Sequence, residues 1–425
     1  MNYKETVEYL FNSTPVFEKT GASAYKPGLG RIVDLCDHLK QPQDRYLTIH
    51  IAGTNGKGSC SHSLAAILQH AGLKVGLFTS PHLVDFRERI RVNGECVTED
   101  FVIQFVERHR SFFEPLHPSF FELTTAMAFE YFATQQVDIA VIETGLGGRL
   151  DSTNVVTPLL SVITNISFDH TNLLGATLEE IAHEKAGIIK PGVPVVIGET
   201  SQETRDVFIS KSQECHSPIL FADDLPVITS YDIIPDGGMR YQTTAFGVIE
   251  SDLGGFYQIK NMNTVLHAAE QLLKMGIITD RDIVSGLAKV CDKTGLMGRW
   301  QTIHYEPRVI IDTGHNVAGW QYISKQLSQQ QYDTLHIVFG MVDDKDLATV
   351  MDMLPKDAVY YFTQASTHRA IPVDKVLQEG IKRGLNATAY TSVREAYTSA
   401  IQKATSHDLV FVGGSSYVVA DLLSE

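Results

Sequence analysis

The sequence predicts an α/β protein of two domains: a first domain on a mostly parallel sheet with a small β annex, and a second, smaller α/β domain. Three observations carry that prediction. Short apolar runs alternate with helix-like segments at 46–53, 74–80, 137–143, 159–167 and 194–198, the rhythm of a largely parallel sheet. The same alternation restarts at 308–312 and continues through 335–340, 358–362, 387–390 and 409–413. The 425 residues exceed what one hydrophobic core usually organises.

Taken in order, an N-terminal helical stretch leads into the first series of strands. Between about 220 and 258 the pattern changes to short β-like pieces around the turn Asp236-Gly237-Gly238, and a helix resumes over 261–275. This is the expected β annex. Gly295 and Gly298 interrupt helical periodicity just before the second series, which places the boundary near 295–300 and gives domains of 1–298 and 299–425. Two domains imply a cleft.

Composition narrows the function classes. A formal charge of −15 disfavours a general phosphate-backbone binder, so nucleic acid is not an expected partner. An anionic small molecule stays possible, because a site needs only a few local cations. Cys36, Cys60, Cys96, Cys215 and Cys291 have no paired spacing, which suits reduced thiols in a cytoplasmic protein. Acidic residues interrupt the N-terminus where a signal peptide needs an apolar run, and no later stretch is long and apolar enough for a bilayer span. No membrane is expected.

The strongest motif is Gly53-Thr54-Asn55-Gly56-Lys57-Gly58-Ser59, after a strand and opening a helix over 59–71. Backbone amides and a helix N-terminus then face one anion, Lys57 sits among the phosphates, and the Ser59 hydroxyl is offered to a magnesium ion. The glycines permit the tight backbone approach. The pattern departs from the usual phosphate loop, since Gly58 intervenes before Ser59 and Ile51 stands five before Gly56. A glycine-rich turn without ligand is the alternative; the strand before and the helix after favour a nucleotide.

This loop resembles that of the Mur ligase superfamily, and no Asn-Lys-x-Asp guanine motif is present. Further blocks resemble the folylpolyglutamate synthase and dihydrofolate synthase family: TSPHLVDFRERI from Thr79, IETGLGGRLDSTN from Ile142, HEKAGIIKP from His183 and DTGHN from Asp312. They occur in family order across most of the chain. The loop begins at Gly53, so the additional N-terminal UDP-sugar domain known from muramyl ligases is not expected here. The resemblance implies a phosphate-loop ATP-binding domain, a Rossmann-like C-terminal glutamate-ligase domain, and ATP, L-glutamate and a folate or dihydropteroate as small-molecule substrates. It also implies an acyl-phosphate route to the new amide.

Site residues follow from the resemblance, with position as support. Glu143 ends the run 137–142, where a crevice ligand belongs, and is expected to bind magnesium with Ser59; a solvated strand-end carboxylate is the alternative. His170 would bind the second of two metals, although a satisfied loop histidine is the plainer reading and magnesium prefers oxygen. Lys185 lies on a helix opened by the capping box Thr177-Leu-Glu-Glu180 and closed by Lys190-Pro191-Gly192. By residues alone it reads as an exposed helical lysine; the family implies that it is carbamylated, which requires a neutral amine.

The remaining expectations are of the same kind. Gln258 and Asn261 match the family's Gln-x-x-Asn and would reach adenine or phosphate, with helix capping as the alternative. Arg299, Asp312 and His315 resemble groups that meet ATP, and Asp312-Thr-Gly-His-Asn keeps the key side chains of the family's Asp-Gly-Ala-His-Asn. By the resemblance, Ser80, Pro81, His82, Phe86 and Arg89 belong to a loop expected to cover the site and contact the folate, with a packed loop as the alternative. Phe121 and Thr124 would lie near the pterin, or simply in a buried helix start, and Asp151 is a candidate pterin contact. Asp343-Asp-Lys-Asp346 and Ser415 with Tyr417 would hold glutamate, against plain turn readings. A chain of this kind can work as a monomer. The competing class is a phosphate-loop ATPase switch, which would release ADP without acceptor or glutamate.

Overall fold

The computed structural model describes residues 1–13, 28–235, 237–343 and 345–424. Asp236 of the expected turn and Asp344 of the acidic stretch lie outside the described residues. The chain divides into two compact units, one of residues 1–231, 241–251 and 259–295, the other of 232–240, 252–258 and 296–425.

The first unit is built on an eight-stranded sheet. Its strands are β1 (Leu47–Ala52), β2 (Val75–Phe78), β3 (Ile90–Val92), β4 (Glu95–Cys96), β5 (Ile139–Glu143), β6 (Leu160–Ile163), β7 (Val195–Ile197) and β8 (Ile219–Phe221), in the order β4-β3-β2-β5-β1-β6-β7-β8. All pairs from β2 to β8 are parallel. The central strands read LTIHIA, IAVIE and LSVI because helices cover both faces, which removes the alternation of a half-solvated strand. The helices are α1 (Tyr3–Ser13), α2 (Gly30–His38), α3 (Lys57–His70), α4 (Glu99–Leu116), α5 (Phe120–Thr134), α6 (Thr171–Leu174), α7 (Leu178–Ala186) and α8 (Gln202–Glu214).

The chain leaving β1 steps to β2 on one side, whereas the chain leaving β6 steps to β7 on the other. Sheets of this class bind ligands at the carboxyl ends of the strands where that reversal falls. A core of Phe78, Phe105, Phe129, Phe132 and Ile142 packs α4 and α5 against the sheet.

Beyond β8 follow a three-stranded sheet of β9 (Ile228–Ile233), β10 (Met239–Thr243) and β11 (Gly247–Ser251), then α9 (Gln258–Lys274), α10 (Asp280–Leu287) and α11 (Val290–Thr294). The second unit has a six-stranded sheet, β12 (Gln301–Tyr305), β13 (Arg308–Asp312), β14 (Leu335–Phe339), β15 (Val359–Phe362), β16 (Asn386–Ala389) and β17 (Leu409–Gly413), ordered β12-β13-β17-β14-β15-β16. It is parallel except for β12. Helices α12 (Val317–Leu327), α13 (Leu347–Asp352), α14 (Val373–Lys382), α15 (Val393–Lys403) and α16 (Ser416–Leu423) alternate with the strands. Trp320, Phe339 and Phe411 meet edge to face in its core, at centroid distances of 5.4 and 5.8 Å.

The α/β architecture is as expected, with two local differences. The β3–β4 hairpin and β12 add antiparallel edges that the periodicity did not signal, because two to five residues are too few to establish a period. Helix α7 starts at the expected capping box but stops at Ala186, with Gly187 as its C-cap, four residues before Lys190-Pro191-Gly192. A Cβ on Gly187 would strike the Arg149 backbone, so glycine at the helix end is what lets that segment pack so closely.

Candidate active site

At the carboxyl end of β1 the chain turns through Gly53 and Gly56 into α3. Gly53 has φ +146° and Gly56 φ +82°, and a Cβ would collide with the Thr164 hydroxyl at the first and with the Asn261 side-chain oxygen at the second. Only glycine fits either place. Helix α3 begins at Lys57 and carries Gly58 and Ser59 in its first turn, the end of a helix at which backbone amides can serve as anion donors.

Three side chains converge beside this loop. Lys57 Nζ donates to Gly53 O and Thr54 O, both at 3.2 Å, and stands 4.0 Å from Glu143 Oε1. Glu143, the last residue of β5, is 3 % exposed, and its Oε2 accepts from Ser80 N at 3.2 Å. Lys185 is 4 % exposed, and its Nζ also donates to Gly53 O, at 2.7 Å. Two amines thus share one carbonyl oxygen. Burial, reinforced by the Lys57 charge, lowers Lys185 from 10.5 to about 7, so much of its population is neutral near physiological pH. The exposed-lysine reading is therefore corrected: α7 turns this residue into the phosphate-loop region.

His170 stands at the N-cap of α6 with φ +49°, its Nε2 3.9 Å from Asp169 Oδ1. Thr54 and Asn55 are turned toward the segment after β6: Thr54 N donates to Asn165 O and Asn55 N to Asn165 Oδ1, each at 2.9 Å. Asn165 was not among the expected residues. It follows the apolar run 160–163 by two positions, at the same strand-end location that singled out Glu143.

The expected folate residues are placed as follows. Ser80, Pro81 and His82 follow β2, and Asp85 and Glu88 form a capping box that shapes 83–89. Phe86 and Arg89 are buried: Arg89 Nε donates to His82 Nδ1 at 2.7 Å and its guanidinium lies 5.2 Å from the Phe120 ring centroid. Phe121 packs 5.7 Å from Phe78 and fills the space a Cβ on Gly145 would need. The buried Thr124 hydroxyl donates to Phe120 O at 2.8 Å within α5. Asp151 is buried and accepts from Leu146 N at 2.8 Å, Thr153 N at 3.0 Å and Thr153 Oγ1 at 2.5 Å, so it shapes the turn after β5. Burial raises its pKa against those bonds. Asn261 lies beside Gly56, as above.

In the second unit, Asp312 ends β13 and is paired in register with Gly413 of β17. Its carboxylate accepts from Tyr257 OH at 2.6 Å, Trp300 N at 2.8 Å and Gly314 N at 2.7 Å. Burial raises its pKa despite these donors and the Arg299 charge. Arg299 Nη1 donates to the Thr313 hydroxyl, and His315 Nδ1 lies 3.2 Å from Thr313 O. Ser415 caps α16 by accepting from Tyr417 N at 3.0 Å. Gln258 is buried, with its N donating to Gly255 O at 2.9 Å. Asp343 N donates to Arg369 O, and Asp346 caps α13. Tyr257 and Trp300 were not anticipated, since a strand-end Asp does not reveal its donors in sequence.

The donor set suits magnesium. Glu143 and Ser59 carry oxygen donors and His170 a nitrogen, and among the described residues no group of three His, Cys, Asp or Glu side chains could hold a metal ion by itself. Magnesium that keeps water and phosphate ligands needs only one or two protein oxygens.

Residues 51–269 match the family described as Mur ligase middle domain, and 298–416 that described as Mur ligase, glutamate ligase domain. Dihydrofolate synthase/folylpolyglutamate synthase of Bacillus subtilis is 35% identical over 412 residues, 93% of this chain and 94% of that protein. Folylpolyglutamate synthase of Lacticaseibacillus casei is 36% identical over 388 residues, 88% of each. Among solved structures, Escherichia coli FolC in complex with DHPP and ADP superposes with a TM-score of 0.83 at 28% identity, covering 100% of this chain and 97% of that one. Mycobacterium tuberculosis folylpolyglutamate synthase complexed with ADP gives 0.86 at 28% identity, covering 99% and 97%.

Proposed function

This chain belongs to the Mur ligase family, in its folylpolyglutamate synthase and dihydrofolate synthase branch, and from that premise we propose how its residues carry the reaction. It is an ATP-dependent ligase that joins L-glutamate to a folate-type acceptor. A carboxylate oxygen of the acceptor attacks the γ-phosphorus of ATP, the bond to the β–γ bridging oxygen breaks, and ADP leaves. The glutamate amine then attacks the acyl carbon, loses a proton, and inorganic phosphate departs. Both steps bring like charges together, so the protein's task is positioning and neutralisation.

Lys57 and the amides of Gly56, Gly58 and Ser59 hold the phosphates. Ser59 and Glu143 would hold one magnesium ion and His170 would contribute to a second, supplying charge neutralisation between nucleotide and acceptor when bound. The neutral Lys185 amine attacks carbon dioxide and releases a proton; the resulting carbamate is an added anion beside the loop. Gln258, Asn261, Arg299, Asp312 and His315 serve the nucleotide, Ser415 and Tyr417 the glutamate, and the segments holding Ser80, Arg89, Phe121 and Asp151 the pterin end. The division into an ATP-binding domain, 1–298, and a glutamate-ligase domain, 299–425, follows the same reading. No described helix is long and apolar enough to cross a membrane; a monomer in the cytoplasm, acting on small molecules without nucleic acid or membrane, completes the proposal.

The observation that carries this assignment is the sharing of Gly53 O by Lys57 and Lys185 next to a buried Glu143, which a plain glycine turn does not require. The test is purified protein with ATP, magnesium and labelled glutamate, with dihydropteroate or tetrahydrofolate as acceptor. Label is expected in product with both acceptors. ADP release indifferent to acceptor and glutamate would establish the ATPase switch instead.

A further inference from the structure

The segment between β6 and α6 is fastened to the phosphate loop by the loop's own polar groups. Besides the two amides taken by Asn165, Thr164 Oγ1 donates to Asn55 O at 2.5 Å. Thr54 and Ser167 pair reciprocally: the Thr54 hydroxyl donates to Ser167 O at 3.1 Å and accepts from Ser167 N at 3.1 Å. A hydroxyl has one proton to give. That of Thr54 goes to Ser167.

Three residues beyond Ser167 stands His170. Three residues span at most about 10 Å, so fixing the Ser167 peptide limits where the imidazole can reach. The intervening Phe168 is 57 % exposed and supplies little packing to hold this stretch. On the far side the segment is anchored by buried Leu174. On the near side the segment is held by the hydrogen-bonded junction with Thr54 and Asn165.

We infer that Thr54, together with Asn165, is a positioning residue that sets His170 against the phosphate loop, and that its side chain does not read the nucleotide. This rests on the assignment of His170 to the metal side of the reaction. Thr54→Val keeps the branched shape and removes both hydroxyl bonds; Thr54→Ser keeps them; Asn165→Ala removes the side-chain acceptor of the Asn55 amide.

The experiment combines steady-state kinetics, magnesium-free ADP binding by calorimetry and amide hydrogen exchange over 165–174. For Thr54→Val, kcat is expected to fall about tenfold, with ADP affinity within about twofold of wild type, faster exchange over 168–174, and recovery of most of the lost rate in Thr54→Ser. Combined with His170→Ala, the Thr54→Val loss is expected to be less than additive. Asn165→Ala repeats the exchange result should the valine variant fold poorly. Weakened magnesium-free ADP binding, additive losses, or unchanged exchange would overturn the inference while leaving the ligase assignment intact. Failure of the wild type to ligate glutamate would overturn that assignment instead, and the exchange data would still decide the anchoring.

Discussion

Replacing Lys185 with Met separates the cost of the buried amine from the rest of the site. The unbranched apolar side chain fills similar space but has no charge to desolvate. The amine's fall from 10.5 to about 7, at about 1.4 kcal/mol per unit, amounts to about 5 kcal/mol of penalty on the ammonium form. The hydrogen bond to Gly53 O returns about 2 kcal/mol while the group is charged, so Met should stabilise the protein by about 3 kcal/mol below pH 7. The sign follows from linkage. Between about pH 7 and 10.5 the unfolded chain holds a proton that the folded chain does not, so wild-type stability rises with pH in that window and the advantage of Met fades. Urea unfolding of both proteins at pH 6, 8 and 10 in carbon-dioxide-free buffer measures the gap. A pH-independent gap, or a less stable Met variant at pH 6, would refute the placement of a neutralised amine here. The same substitution removes the carbamate, so ligase turnover should fall at least a hundredfold despite the gain in stability.

Three further outcomes follow from the geometry. Gly56→Ala must hold a Cβ at φ +82° against Asn261, and should cost about 1–2 kcal/mol and abolish saturable ADP binding in calorimetry; wild-type affinity would show that the loop does not hold the nucleotide. Asp151→Asn removes an anionic acceptor of three donors within the turn after β5 and should lower stability by about 1–3 kcal/mol in urea titration, whereas an unchanged midpoint would assign the carboxylate no structural role. Tyr257→Phe leaves Asp312 with two amide donors and should cost about 1–2 kcal/mol; a thermal unfolding profile identical to wild type would contradict the pairing.

Much of the fold was legible because parallel strands covered on both faces leave apolar runs of five or six residues, as β1 and β5 do, and because helices announce themselves by caps such as Thr177 with Glu180. The short edges β3, β4 and β12 carry no period and stayed hidden. At the site, Gly53 to Ser59 were legible since strand, glycine turn and helix are consecutive in the chain. The burial of Lys185, named there only through the family resemblance, was not: its helix is polar around it, and only the tertiary placement of α7 beside Gly53 buries the amine. Asn165, Tyr257 and Trp300 act by long-range hydrogen bonds, which no local pattern encodes.

The most direct test of acceptor phosphorylation uses dihydropteroate labelled with oxygen-18 in its carboxylate, with ATP, magnesium and glutamate. One labelled oxygen per turnover should appear in inorganic phosphate, transferred when the acyl phosphate is broken by the glutamate amine. Phosphate free of label, with amide product still formed, would contradict the route outright.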